Sequence, residues 1–191
     1  MIEYAERMPP LDAEQMDEAQ RAAAAELIAG PRKAVTGPFV ALLRSPRLMQ
    51  RLQKVGEYLR FESSLRPAIS ELATLVVARR WTQQFEWATH VPLALREGIS
   101  RETIDALRDG RRPPSLSREE AVVYDFATEL LEHRGVSDVT YDACKSLLGE
   151  RDVIDLVGVL GYFTAISMVL NVAHAPAPSP QGVEPLPPLQ R

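Results

Sequence analysis

From Asp12 to Ala173 the chain reads as one helical segment after another, each opened by a capping residue or a proline and most closed by a glycine. Nowhere does the two-residue alternation of a strand persist. That punctuation commits the chain to an all-α fold, because apolar positions three and four apart are buried by packing helix on helix. Asp12, with Gln15 three residues on, opens an Ala-rich helix that Gly30-Pro31 closes. Thr36-Gly37-Pro38 is a turn before a short apolar segment, Phe39 to Leu43. Ser45-Pro46 opens a helix carrying Leu48, Leu52, Val55 and Leu59, and Pro67 opens the next, running to about Arg80. At Trp81-Thr82 continuation and a break are equally consistent with the pattern, before apolar positions resume at Phe85, Ala88 and Val91. Ser100, Ser117 and Ser137 open three more helices, ending at Gly110, Gly135 and Gly149. A last helix is expected from Glu150 to about Ala173, making a bundle of about eight or nine helices.

The 191 residues, 46% of them hydrophobic, suffice for one sizeable core and are too few for two. A single domain is expected over residues 1–174, with 1–60 an N-terminal helical extension and 67–174 the core. The tail, 175–191, contains Pro176, Pro178, Pro180, Pro185, Pro187 and Pro188, which favour an extended arm. It is either a loose terminus or an arm lying across a neighbouring subunit.

A net charge of −4 and a pI near 5.5 leave no basic stripe to displace phosphate counterions, so no nucleic-acid partner is expected. The longest apolar run, Val153 to Leu170, is interrupted by Asp155 and diluted by Gly158, Gly161 and Ser167. It is marginal against the roughly 20 apolar residues of a membrane span, so a place in the core or in a subunit interface is expected, not a membrane. Cys144 is the only cysteine, which rules out an intrachain disulfide or a cysteine metal cage. With no basic and apolar leader in MIEYAERMPP, the expected compartment is the cytoplasm.

Glu86 and His90, four apart, share one face of a helix. A carboxylate beside an imidazole fixes its tautomer and raises its basicity, which suits a general acid/base near neutral pH. Alone, that spacing is common on surface helices. The surrounding stretch is more specific: Glu71-Leu-Ala-Thr-Leu-Val-Val-Ala-Arg-Arg-Trp-Thr-Gln-Gln-Phe-Glu-Trp-Ala-Thr-His90. It resembles the carboxymuconolactone decarboxylase-like family, within the alkyl hydroperoxidase D-like superfamily. Gly37-Pro38-Phe39, Ser45-Pro46, Tyr58 to Phe61 and Gly161-Tyr162 through Asn171 extend the likeness over nearly the whole chain, the tail least. The family's decarboxylases are typically shorter, which leaves residues 1–60 free to reshape the pocket.

The resemblance implies an alkyl hydroperoxidase D-like helical bundle that assembles as a homo-oligomer, a trimer or hexamer, with its pocket near a subunit interface. The hydroperoxidases of the superfamily are similar to this chain at Glu71 and His90, but place a Cys-x-x-Cys pair where this chain has Gln83 and Glu86. Neither side chain forms a thiolate, so dithiol peroxidase chemistry is not available there.

What the decarboxylase branch implies is a carbon–carbon lyase, free of metal and organic cofactor, acting on an unsaturated carboxylated lactone or related acid. In that reading His90 donates the proton, Glu86 orients it, and Glu71 either completes a relay or serves the start of its helix. Phe85, Trp87, Gln83, Arg80 and Arg60 are candidate substrate-binding residues. Among the arginines, Arg60, Arg79, Arg80 and Arg66 are placed in sequence to hold a substrate carboxylate or to be solvated surface charge. Trp81 and Trp87 are pocket wall or core. Two other readings stand beside the lyase: an acid/base isomerase, hydrolase or antioxidant-type protein on the same fold, and a non-catalytic oligomeric binding protein. A buried His90 with a displaced titration would favour an enzyme, and an exposed, ordinary one the binding protein.

Overall fold

Helix α4 (Pro67–Arg80) is apolar on nearly every side, and the helices that follow it in the chain close around it: Ile69, Leu72, Ala73, Leu75, Val77 and Ala78 are all buried. A computed structural model describes residues 5–188. Before α4 come α1 (Glu18–Ala29), α2 (Pro38–Leu42) and α3 (Pro46–Phe61). After it come α5 (Gln84–Arg96), α6 (Arg101–Arg108), α7 (Arg118–His133) and α8 (Asp138–Ala173). Among the described residues there are no strands, so the fold is all-α. Helices α5, α7 and α8 pack directly on α4, while α1 packs on α3, and α2 and α3 lie against α8. Each fully buried Leu or Ile in this core stabilises the fold by about 1.5–3 kcal/mol relative to exposure.

The helix starts follow capping chemistry. Ser100, Ser117 and Ser137 each accept from a backbone N–H three residues on, at 3.0, 3.3 and 3.3 Å. The first start differs from expectation. Asp12 opens only a 3-10 turn, Ala13–Gln15, and Asp17 caps α1, accepting from Gln20 N–H at 2.8 Å. The Asp-x-x-Gln spacing occurs twice in succession, and only the second is followed by a buried face, Ala23, Ala24 and Leu27. At Trp81-Thr82 the helix breaks: Trp81 ends α4, Thr82 adopts φ +47°, and Gln83 caps α5. At the other end of the bundle, α8 is two helices joined end to end across a kink at Gly149 (φ 80°, ψ 161°), the boundary that the sequence marks.

Helix α8 is long and apolar enough to cross a membrane, but half of its apolar window is buried in the bundle. Asp155 explains how an acid fits there: it accepts from Tyr58 Oη at 3.0 Å and Ser63 Oγ at 2.6 Å, tying α8 to the end of α3. Ile154, Val157, Met168 and Val172 remain exposed on its outer side.

The proline tail follows its own chain. Beyond His174 it returns along α5, where Trp87 Nε1–H donates to Glu184 O at 2.9 Å. Gln84 clasps Leu186, accepting from its N–H at 3.0 Å and donating to its carbonyl at 2.8 Å. Arg79 Nη1 donates to Pro187 O at 2.7 Å, and the Leu186 side chain is buried in the core. Residues 1–4 of the N-terminal extension and 189–191 of the arm lie outside the described residues.

Candidate active site

The α4–α5 corner sets two acids on either side of one imidazole. Glu71 is the fifth residue of α4, beyond the first turn, so it does not cap the helix start. Its carboxylate meets α5, and Glu71 Oε2 lies 2.6 Å from His90 Nδ1. Glu86, one turn before His90, brings its Oε2 to 3.3 Å from His90 Nε2. The shorter of the two contacts therefore comes from the neighbouring helix and not from the single turn between Glu86 and His90. Glu71, on the neighbouring helix, is the tight partner that orients the ring, and Glu86 stands on the other nitrogen at the cavity wall.

His90 is only 3% exposed, and the edge of its ring meets Phe163 with centroids 5.0 Å apart at 82°. Burial alone would lower its pKa. The hydrogen bonds and charges of Glu71 and Glu86 outweigh that, pushing it up to about 9. At neutral pH the ring is an imidazolium with an acid at each N–H.

A cavity of about 320 Å³ opens beside it. From α5 it is lined by Phe85, Glu86, Thr89 and His90, and from α8 by Tyr162 and Phe163. The loop before α2 supplies Arg32 and Thr36, and the end of α3 supplies Arg60 and Phe61. Of the residues singled out from sequence, His90, Glu86, Phe85 and Arg60 meet at this cavity, with Glu71 just behind His90.

Gln83, Trp87 and Arg80 do not line it. The Gln83 side chain is used as a cap, accepting from Phe85 N–H at 2.5 Å and donating to Asn171 Oδ1 at 2.8 Å. Asn171 in turn donates to Trp81 O at 3.2 Å, fixing the corner against α8. Trp87 follows Glu86 directly, so the helix turns it about 100° away, into the core beneath the tail. Arg80 faces a separate crevice of about 110 Å³ shared with Arg111 and Tyr124.

Sequence reasoning missed Arg32, Phe39, Thr89 and Phe163. Arg32 lies in a loop with no motif, and its guanidinium stacks 4.6 Å above the Phe39 ring. Its Nε and Nη2 are buried without a hydrogen-bond partner. Burial, followed by the nearby charge of Arg60, holds its pKa below the ordinary guanidinium value. Phe163 was hidden in an apolar run that reads as core. The tyrosine beside it, Tyr162, was the available clue, since a phenol inside such a run needs a polar neighbour.

Two glycines let these groups converge. Gly37 adopts φ +56°, and a Cβ there would stand 2.5 Å from Phe85 Cζ. A Cβ at Gly56, on α3, would stand 2.3 Å from Tyr162 Oη and 2.8 Å from Arg32 Nη2. Cys144 is not part of the site: it is buried on the first half of α8, where burial pushes its thiol up to about 11.

Residues 46–129 match the carboxymuconolactone decarboxylase family. No curated protein matches the chain. Among solved structures, an alkylhydroperoxidase AhpD core protein from Ralstonia eutropha JMP134, described as an uncharacterized peroxidase-related protein, superposes with TM-score 0.72 at 14% identity, covering 91% of this chain and 92% of that one. An uncharacterized peroxidase-related protein from Silicibacter sp. TM1040 gives 0.69 at 15%, covering 91% of each. A protein of unknown function from Agrobacterium tumefaciens, described as a candidate antioxidant defence protein AhpD, gives 0.64 at 13%, covering 73% of this chain and 96% of that one. These likenesses establish an alkyl hydroperoxidase D-like helical fold.

Proposed function

We propose, from the match of residues 46–129 to the carboxymuconolactone decarboxylase family, that the chain is a cofactor-independent acid/base enzyme, a lyase that decarboxylates an unsaturated carboxylated lactone or related acid. The observation that carries this reading is the His90 imidazolium held between Glu71 at 2.6 Å and Glu86 at 3.3 Å on the wall of a 320 Å³ cavity. A proton donor must carry its proton, be oriented and face the place where substrate binds, and a protonated His90 fixed by Glu71 on the cavity wall supports that role.

The reaction balances without an oxidant or reductant. The bond from the substrate's carboxylate to its neighbouring carbon breaks, carbon dioxide leaves, and the electron pair spreads into the conjugated carbonyl as a dienolate. His90 Nε2–H then protonates carbon, and Glu86 returns a proton from solvent to the ring. Glu71 holds the ring's orientation and stabilises its charge throughout.

The test is carbon dioxide release from a panel of unsaturated lactone acids by the wild type and by His90→Gln. Turnover abolished in the variant supports the lyase and its donor. Turnover that survives removes His90 from the mechanism, and a silent wild type removes decarboxylation.

A second reading draws on the peroxidase-related descriptions of the structural neighbours: an antioxidant-type protein. It would require a route other than a dithiol, since Gln83 and Glu86 stand at the resemblance's cysteine positions and Cys144 is buried elsewhere. Peroxide consumption by the purified chain, without added thiol protein, decides it. We also propose a homo-oligomer, supported by the exposed Ile154, Val157, Met168 and Val172 on α8. Light scattering on the purified chain tests it.

A further inference from the structure

The cavity beside His90 contains two guanidinium groups that the protein leaves unpaired. Among the described residues neither Arg32 nor Arg60 makes a hydrogen bond or an ion pair. Each instead stacks on a phenyl ring, Arg32 on Phe39 at 4.6 Å and Arg60 on Phe61 at 5.5 Å. Both line the same cavity, where their like charges repel. Among the described residues the only carboxylate lining that cavity is Glu86, and Glu86 faces His90. Arg32 lies close enough to Glu86 and Glu57 to feel their charge, yet bonds to neither. Two like charges side by side with no acid bonded to either form an arrangement that an anion stabilises.

We propose that Arg32 and Arg60 form a carboxylate-binding subsite, which takes the carboxylate of a small conjugated acid and sets its unsaturated carbons against His90. The inference rests on the reading of this cavity as a substrate site and names the chemistry that recognises the substrate there.

Stereochemistry favours a carboxylate over a spherical anion. A guanidinium presents parallel N–H bonds that match the two oxygens of a carboxylate. The inner edge of Arg32, Nε and Nη2, is packed without an acceptor and closed to solvent. Turning that edge into the cavity therefore breaks no protein bond, and each N–H gains an acceptor it lacks. Phe39 supports the guanidinium plane, and the Tyr162 hydroxyl comes up beside Nη2 at Gly56. The subsite also answers an electrostatic difficulty of the acid/base cluster. Glu71 and Glu86 would repel an anionic substrate, whereas His90, Arg32 and Arg60 together leave an excess of positive charge.

The experiment is calorimetric binding of sorbate, a conjugated monocarboxylate, and of its uncharged amide, sorbamide, to the intact chain. The wild type is expected to bind sorbate and to take sorbamide far more weakly. Arg32→Gln, checked as folded by circular dichroism, is expected to weaken sorbate roughly 10- to 100-fold while leaving sorbamide unchanged. Arg32→Lys, which keeps charge without the fork, is expected between the two. Equal binding of sorbate and sorbamide, sorbate affinity unchanged in Arg32→Gln, or no sorbate binding by the wild type would each overturn the proposal. Inorganic phosphate competing as well as sorbate would overturn the carboxylate assignment. Because binding is read without turnover, the two readings fail separately. Sorbate held through Arg32 with no carbon dioxide release from the lactone panel keeps the subsite and discards the lyase, and the converse discards the subsite alone.

Discussion

Glu71 and His90 are 19 residues apart and on different helices, yet Glu71 Oε2 and His90 Nδ1 stand 2.6 Å from each other. The contact crosses from α4 to α5 just below the corner that Gln83 and Asn171 hold shut. The ring's orientation is thus a property of the α4–α5 packing, and not of the single turn that joins Glu86 to His90.

The protonation of His90 follows. An NMR titration of its ring should show a midpoint near 9, against 6.5 for an ordinary histidine. Because the folded value is the higher one, the charged ring favours the folded state. That contribution, on the order of 3 kcal/mol, is complete below about pH 6.5 and is lost as pH rises through about 9. Activity that uses His90 as a donor should fall over the same upper limb. A midpoint at 6.5 would remove both expectations.

The two acids should differ in what they hold. Glu71→Gln removes the closer partner and should lower the His90 midpoint more than Glu86→Gln does, since Glu86 sits at 3.3 Å. Breaking a buried pair at neutral pH should cost about 3–5 kcal/mol in urea unfolding for Glu71→Gln, less if the ring discharges. Equal shifts in the two variants would mean that both acids share the ring evenly.

Gly37→Ala tests how the cavity is shaped. The substitution puts a side chain into left-handed backbone and onto the Phe85 ring. Gly98, at φ +95°, has open space where its Cβ would be, so Gly98→Ala reports strain without a collision. Each strained backbone costs about 1–3 kcal/mol, and Gly37→Ala should cost about 1–3 kcal/mol more. Equal thermal shifts would show that Phe85 moves aside freely.

Leu186→Ala should destabilise the fold by roughly 2–5 kcal/mol, as expected for emptying a buried leucine site. Ending the chain at Gly182 should do at least as much and should shift Trp87 fluorescence to the red, because Trp87 Nε1–H loses Glu184 O as its partner. Unchanged emission would mean that another group covers the indole.

What could be read from the sequence was what local chemistry dictates. Ser117 with Glu120 announces α7, Pro67 announces α4, and the four-residue step from Glu86 to His90 puts both on one face. Legibility ended where a side chain's task depends on a distant neighbour. Gln83 looks like a pocket residue until Phe85 N–H and Asn171 are seen to occupy it. Trp87 looks like a wall until the tail is seen to cover it. Arg32 enters the site from a loop more than fifty residues before His90, with no periodicity to mark it. Such placements are decided by packing between elements, which no single helix encodes.

Among the described residues, the bonds between the tail and α4, α5 and α6 all end on the tail's main chain: Gly182 O, Glu184 O, Leu186 N and O, and Pro187 O. Pro185 and Pro187 supply no N–H, so Leu186 between them offers the one donor there, and Gln84 takes it. A clasp of that kind reads the path of a strand and not its letters. A side-chain change at Glu184 keeps every one of these bonds, whereas a change at Gln84 or Trp87 beneath the tail removes at least one. The path of this tail is then written in the helix it covers.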